Sequence, residues 1–144
     1  MTDAPAPQRT LVLVKPDGVR RGLVGEVLRR IEAKGYTIVA LELRTADDAL
    51  LAEHYAEHAG KPFLPGLVEF MESGPLVAAV VEGQRVIEGF RSLAGATDPT
   101  AAAPGTIRGD LSRDWGSRTI ENIVHGSDGE DAAAREIALW FPGL

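Results

Sequence analysis

Asn122-Ile123-Val124-His125-Gly126-Ser127-Asp128 sets a histidine at the end of a short apolar run, directly before a helix start. Backbone N–H groups at a helix N-terminus favour an anion nearby, and Gly126 leaves room beside the ring. A histidine so placed can act as base, metal ligand or nucleophile, or can be a hydrogen-bonded structural residue at a strand–turn junction. The segment His54-Tyr55-Ala56-Glu57-His58 fits the His-x-x-Glu-His pattern of one class of zinc enzyme. Histidines four apart on a helix share a face and could share a metal, but a catalytic zinc needs three protein ligands and no third stands out. The alternative is an exposed helix whose histidines meet no metal. Lys15 stands at the end of the first apolar run, where α/β-type folds place ligands. Arg91 bounds a long loop that carries Thr97, Arg108 and Arg113. Arginine forks suit phosphate oxygens, although each arginine alone reads equally as a solvated surface charge.

Other chemistries are excluded. There is no cysteine, so disulfides, thiolate zinc sites, iron–sulfur clusters and a cysteine nucleophile are ruled out. There is no Gly-x-x-x-x-Gly-Lys-Ser/Thr and no Gly-x-Gly-x-x-Gly, hence no P-loop, dinucleotide or protein-kinase fingerprint. Fifteen basic against 21 acidic residues leave a net charge of -6. An acidic surface repels nucleic acid and anionic lipid, so any phosphate ligand needs a local gathering of the few cations. The apolar run Leu76 to Val81 is far short of the ~20 residues of a membrane span. Residues 1–7 have neither a basic nor an apolar leader region, and a cytoplasmic protein without a membrane partner is expected.

These residues need elements to position them. At 144 residues the chain suits one domain. Residues 1–8, with Pro5 and Pro7, are expected to be a flexible tail and residues 9–144 the domain. Leu11 to Val14 predicts a buried strand, and Lys15-Pro16-Asp17-Gly18 a turn. Apolar residues at 23, 24, 27, 28 and 31 predict a helix ended by Gly35. Tyr36 to Leu43 predicts a strand, and Asp47 or Asp48 caps a helix to about His58. Leu67 to Glu72 continues as a short helix. Leu76 to Glu82 predicts a strong strand, followed by a helix over Val86 to Leu93. A long loop runs from Ala94 to about Arg118, and loops longer than ~15 residues inside a domain are usually functional. Asn122 to His125 predicts the last strand. Ser127 and Glu130 have capping-box spacing and open a helix through Trp140. With the middle helices set aside as an insertion, this is an α+β, ferredoxin-like βαββαβ core: a four-stranded antiparallel sheet with helices packed over it.

In order and spacing these segments resemble the nucleoside diphosphate kinase family. The likeness runs from about Arg9 to Pro142. It rests on Thr10 to Val19, His54-Tyr55, Lys61-Pro62-Phe63, Ser73-Gly74-Pro75, Pro104 to Asp110 and Asn122 to Asp128. The resemblance implies ping-pong transfer of a γ-phosphoryl group through a phosphohistidine, for supply of nucleoside and deoxynucleoside triphosphates. It implies His125 as the nucleophile through Nδ1, with Nε2 held by Glu136. It implies that Lys15 contacts the transferred phosphate and the sugar, with Tyr55 beside it. Arg91, Thr97 and Arg108 take phosphate contacts and Asn122 a sugar hydroxyl. Phe63 and Leu67 form an apolar platform for the base, and Ser127 stands beside the histidine and caps the helix. Stacking reads the π-face of any base, so low base specificity is implied. Mg²⁺ is expected on the nucleotide phosphates without a direct protein ligand, with nucleoside di- and triphosphates as the small-molecule partners and no nucleic acid required.

On this reading Tyr55 is the functional residue of its segment, and His54 and His58 are bystanders. Between Asp110 and Asn122 the chain is about four residues longer than the family pattern. Relatives place there a second wall against the base; here Arg113, Trp115 and Arg118 receive no role. A homo-oligomer is implied, with a hexamer favoured over a tetramer.

Overall fold

The computed structural model describes residues 4–144. Leu11 to Val14 lies inside β1 (Gln8–Val14), which is paired on both sides: to β3 (Leu76–Gly83) and to β4 (Val124–Gly126). β2 (Thr37–Arg44) closes the other edge, giving the antiparallel order β2-β3-β1-β4. This is the four-stranded antiparallel sheet of the expected α+β class.

Both faces of the sheet are covered. Val12, Val14, Val77, Ala79 and Val81 point into one core with α2 (Val24–Ala33) and α5 (Val86–Ala94). Leu11, Leu13, Leu76 and Ala78 point into the other, with α3 (Asp48–His54), α4 (Leu64–Met71) and α7 (Glu130–Trp140). Two-sided burial explains why β1 and β3 read as unbroken apolar runs: neither face meets water. The middle helices α3 and α4 are thus the floor of the second core rather than an appendage.

Several expected boundaries move. Lys15-Pro16-Asp17-Gly18 is not a turn but the start of a short helix, α1 (Pro16–Arg20), since proline is preorganised for a first helical position. The helix from Asp47 stops at His54, and a separate 3₁₀ turn, Ala56–His58, follows. Asp47 does cap it, accepting from Leu50 N–H at 2.8 Å. The long loop contains α6 (Ile107–Leu111), capped by Thr106 through the Gly109 N–H. Ser127 does not cap α7; Gly129 holds that position, and the Ser127 hydroxyl is engaged elsewhere. The tail expected over residues 1–8 falls partly outside the described residues. Its last member, Gln8, already belongs to β1, and Pro5 O accepts from Gln84 Nε2.

Phe90 of α5 lies fully buried in the first core, and a Cβ at Gly126 would stand 2.6 Å from its ring. The close approach of β4 to α5 therefore requires glycine at 126. Phe90→Ala is expected to lower stability by about 3–5 kcal/mol, the range for deleting a buried ring. Urea unfolding followed by circular dichroism checks this; a loss below half that would mean the site collapses around the gap.

Candidate active site

The last strand begins from an unusual turn. Val124 N–H donates to Asn122 O at 2.8 Å across Ile123, whose φ is 71°. A β-branched residue in the left-handed region is an outlier, of the kind that costs about 1–3 kcal/mol and persists only where its surroundings hold it. Lys15 N–H donates to Ile123 O at 2.7 Å, and Ile123 N–H donates to Asp17 Oδ2 at 3.0 Å. The turn delivers Asn122 and His125 to the same opening.

His125 faces Leu13 across the β1–β4 ladder. Its Nε2 lies 2.9 Å from Glu136 Oε1 on α7. The same oxygen accepts from Ser127 Oγ at 2.7 Å, and Ser127 Oγ accepts from Leu11 N–H at 3.1 Å. Burial pushes the Glu136 carboxyl up, but hydrogen bonds from His125 and Ser127 outweigh it and hold the group below its ordinary range. An ionised carboxylate only accepts, so Nε2 is the protonated nitrogen and Nδ1 keeps the lone pair.

A cleft of about 920 Å³ opens before this ring, lined by Lys15, Arg91, Thr97, Arg108 and Asn122. Lys15 Nζ donates to Asn122 Oδ1 at 2.9 Å, and Asn122 Nδ2 donates to Thr97 O at 2.9 Å. Burial, reinforced by Arg108, pulls the Lys15 ammonium down to about 8. Burial and then Arg91 pull Arg108 down to about 10. Arg108 donates to Gly95 O, Asn122 O and Val124 O at 2.9, 3.2 and 2.6 Å, so it ties the long loop to β4 as well as charging the cleft. Arg91 pairs with Asp128 at 2.7 Å at the rim.

The remaining candidates stand apart from this lining. Tyr55 packs edge-on against His54 at 4.7 Å, and burial pushes its phenol up. Leu67 packs onto the second core, whereas Phe63 is 53% exposed. Phe63 meets the cleft through His58, whose ring it approaches edge-on at 5.2 Å. The segment between Asp110 and Asn122 folds back over α4: Thr119 Oγ1 would lie 3.2 Å from a Cβ at Gly66. Trp115 instead stacks with Arg113, at 4.2 Å, and Arg21, at 5.2 Å.

The pairing of His54 with His58 fails, because the helix ends between them. Among the described residues, the three groups with ligand atoms within 4.8 Å of one another are His54, His125 and Glu136. Nor is His54 a bystander. It is buried, its ring stands edge-on to His125 at 4.8 Å, and its Nδ1 accepts from Trp140 Nε1 at 3.0 Å. Nothing in the local sequence marks this, because its partner Trp140 is 86 residues away.

The sequence model of the family described as "Nucleoside diphosphate kinase" matches residues 8–144. The chain belongs to the nucleoside diphosphate kinase family. Its activity is that of the family, a phosphotransferase. A nucleoside diphosphate kinase of Mycolicibacterium vanbaalenii is 64% identical over 137 residues, covering 94% of this chain and 98% of the relative. One of Streptomyces griseus is 62% identical over 138 residues, covering 95% and 98%. A Halobacterium salinarum nucleoside diphosphate kinase solved with CDP superposes with a TM-score of 0.88 at 52% identity, over 94% of this chain and 88% of that one. A Borrelia burgdorferi enzyme with bound vanadate and ADP gives 0.88 at 40%, over 95% and 88%. Among the described residues, no helix is long and apolar enough to cross a membrane.

The site's burial has a stability consequence. Burial, with the His125 charge added, lowers the His54 pKa to about 3 from its ordinary 6.5. The unfolded chain therefore binds a proton there before the folded protein does, and His54 contributes stability that is lost as pH falls from about 6.5 toward about 3. His54→Gln is expected to flatten this acid limb in urea midpoints measured against pH. A limb of unchanged steepness would assign the acid sensitivity to other groups.

Proposed function

We propose that His125 carries the phosphoryl group between nucleotides. The observation that supports this is the ring's fixed polarity: Nε2 is committed to Glu136 at 2.9 Å, and Nδ1 is left with the lone pair beside Lys15, Arg91 and Arg108. Nδ1 attacks the γ-phosphorus of a nucleoside triphosphate, and the bond from that phosphorus to the β,γ-bridging oxygen breaks. The diphosphate leaves with the electron pair. A second diphosphate's terminal oxygen then attacks phosphorus, the P–N bond breaks, and the imidazole regains its lone pair. Such transfer is chiefly positioning and charge neutralisation, which is what a lysine and arginines at a cleft supply. The relatives solved with CDP and with ADP and vanadate support a nucleotide here.

Lys15 contacts the transferred phosphate and the sugar and Asn122 a sugar hydroxyl, while Arg91, Thr97 and Arg108 take phosphate contacts. Phe63 and Leu67 receive the base by stacking, with Tyr55 beside Lys15, so base specificity is low. Ser127 and Glu136 orient the ring. Mg²⁺ neutralises phosphate charge and arrives on the nucleotide. The cleft's carboxylates are Glu88 and Asp128, and Asp128 is already paired with Arg91, which fits a metal carried in by its ligand. The chain works in the cytoplasm as one domain over residues 9–144, repeated in a homo-oligomer, a hexamer rather than a tetramer. The edge strand β2 supports assembly: Leu41 and Leu43 are 53% and 65% exposed on it.

Radiolabelled ATP is expected to leave an acid-labile phosphate on the wild type, removed by added GDP, and none on His125→Ala. Binding of ADP without exchange would instead make the chain a nucleotide-binding module. Glu136→Ala is expected to cut kcat by about 10–100-fold, as for loss of a group that orients a histidine. Steady-state kinetics decides this. Because the Lys15 ammonium is lost as pH rises through about 8, ADP affinity is expected to fall above that pH. Titration calorimetry across alkaline pH checks the sign; an affinity that rises there contradicts it.

A further inference from the structure

Asp17 is a buried carboxylate that the transfer chemistry leaves without a role. It sits in α1, two residues past Lys15, and its oxygens are unequal. Oδ2 accepts the Ile123 N–H at 3.0 Å, while Oδ1 is buried with no hydrogen-bond partner. A buried, unpartnered oxygen of an acid is costly and calls for a compensating interaction.

Two features of its surroundings supply one. The first is the strained turn. Both backbone groups of Ile123 are gripped from the start of α1, its N–H by Asp17 and its O by Lys15 N–H at 2.7 Å. Its side chain rests where a Cβ at Gly18 would come within 3.0 Å. The second is charge. Burial drives the Lys15 and Arg108 cations toward neutrality, and in each case the Asp17 charge opposes that drift. The other charged or titratable groups around Lys15 do not share this role. Arg108 on α6, Arg91 on α5, His125 on β4 and His54 on α3 are cationic or neutral, and the three nearby carboxylates are engaged elsewhere: Asp128 with Arg91, Glu88 with Arg85, and Glu136 with His125 and Ser127.

We propose that Asp17 is a positioning residue of the phosphate site: its carboxylate locks the strained Asn122–Val124 turn that sets Asn122 and His125, and serves as counter-charge for Lys15 and Arg108. This rests on reading the cleft as the phosphate site. A carboxylate two residues from Lys15 opposes the loss of charge that burial imposes on Lys15 and Arg108, so that an incoming phosphate meets cations already in place.

The test uses the full chain as wild type, Asp17→Asn and Asp17→Ala. ADP dissociation constants are measured by calorimetry from neutral to alkaline pH, beside kcat and KM for transfer. Asparagine keeps an oxygen for the Ile123 N–H and removes the charge; alanine removes both. In Asp17→Asn the fall of ADP affinity that sets in near pH 8 for the wild type is expected to begin at lower pH. In Asp17→Ala, kcat is expected to fall about 10²-fold with a smaller change in KM, as for a misplaced reacting group. A role confined to stability would shift unfolding midpoints and leave the pH profile in place. Coincident profiles for wild type and Asp17→Asn, or an undiminished kcat in Asp17→Ala, would overturn the proposal. Should the variants fail to fold, hydrogen exchange of the Ile123 amide in the wild type decides. Protection equal to the β1 amides supports the carboxylate grip, and rapid exchange removes it. A wild type that binds no ADP at any pH would overturn the phosphate reading itself, and this proposal with it.

Discussion

One carboxylate oxygen organises the site. Glu136 Oε1 accepts from His125 Nε2 and from Ser127 Oγ, and Ser127 in turn accepts from the backbone of β1. Through that oxygen the last helix, the edge strand and the central strand are tied at one point. The consequence is chemical as well as mechanical. An acceptor that cannot donate forces the proton onto Nε2, so the ring's free lone pair is at Nδ1 without any base having to remove a proton there. Ser127, expected at the helix cap, does its work in this network instead. Gly129 holds the cap position, while the serine hydroxyl is committed to Glu136.

The surrounding packing works against the cations that the chemistry needs. Lys15 and Arg108 are both pulled toward neutrality, with burial the chief cause in each. A protein with a net charge of -6 has gathered desolvated positive groups at one cleft. Such a site destabilises the empty protein and rewards an anionic ligand, which is the usual relation between a preorganised site and the stability of its fold. The Ile123 turn belongs to the same pattern. Its strain is held by bonds from the start of α1, and it sits one residue from Asn122 and two from His125. Arg108 serves both demands: its bonds to Gly95, Asn122 and Val124 carbonyls fix the loop and the strand while its charge faces the cleft.

Much of the fold was legible because burial is written into residue type. The runs Leu11 to Val14 and Leu76 to Val81 marked the central strands, and their lack of alternation reflects helices on both faces of the sheet. Less legible were junctions where local signals compete. Pro16 reads as a turn former and as a first helical residue, and the structure takes the second. His54 and His58 suggest one helix face, yet the helix stops at His54 and the pair divides between a buried aromatic cluster and the cleft wall. Thr119's approach to Gly66 has no local signal at all, since it depends on how the segment after α6 falls across α4.

The sequence by itself determined which groups could react: no thiol, three histidines, a small number of cations, and motif segments in an order that marks the family. Side-chain chemistry and motif order are local properties and survive reading along the chain. Only the tertiary structure decided which histidine nitrogen is free, that His54 stands against His125, and that Asp17 grips Ile123. Those facts depend on groups 11, 71 and 106 residues apart meeting within a few ångströms. Directions of hydrogen bonds and desolvation of charges arise only when such distant segments close around one another.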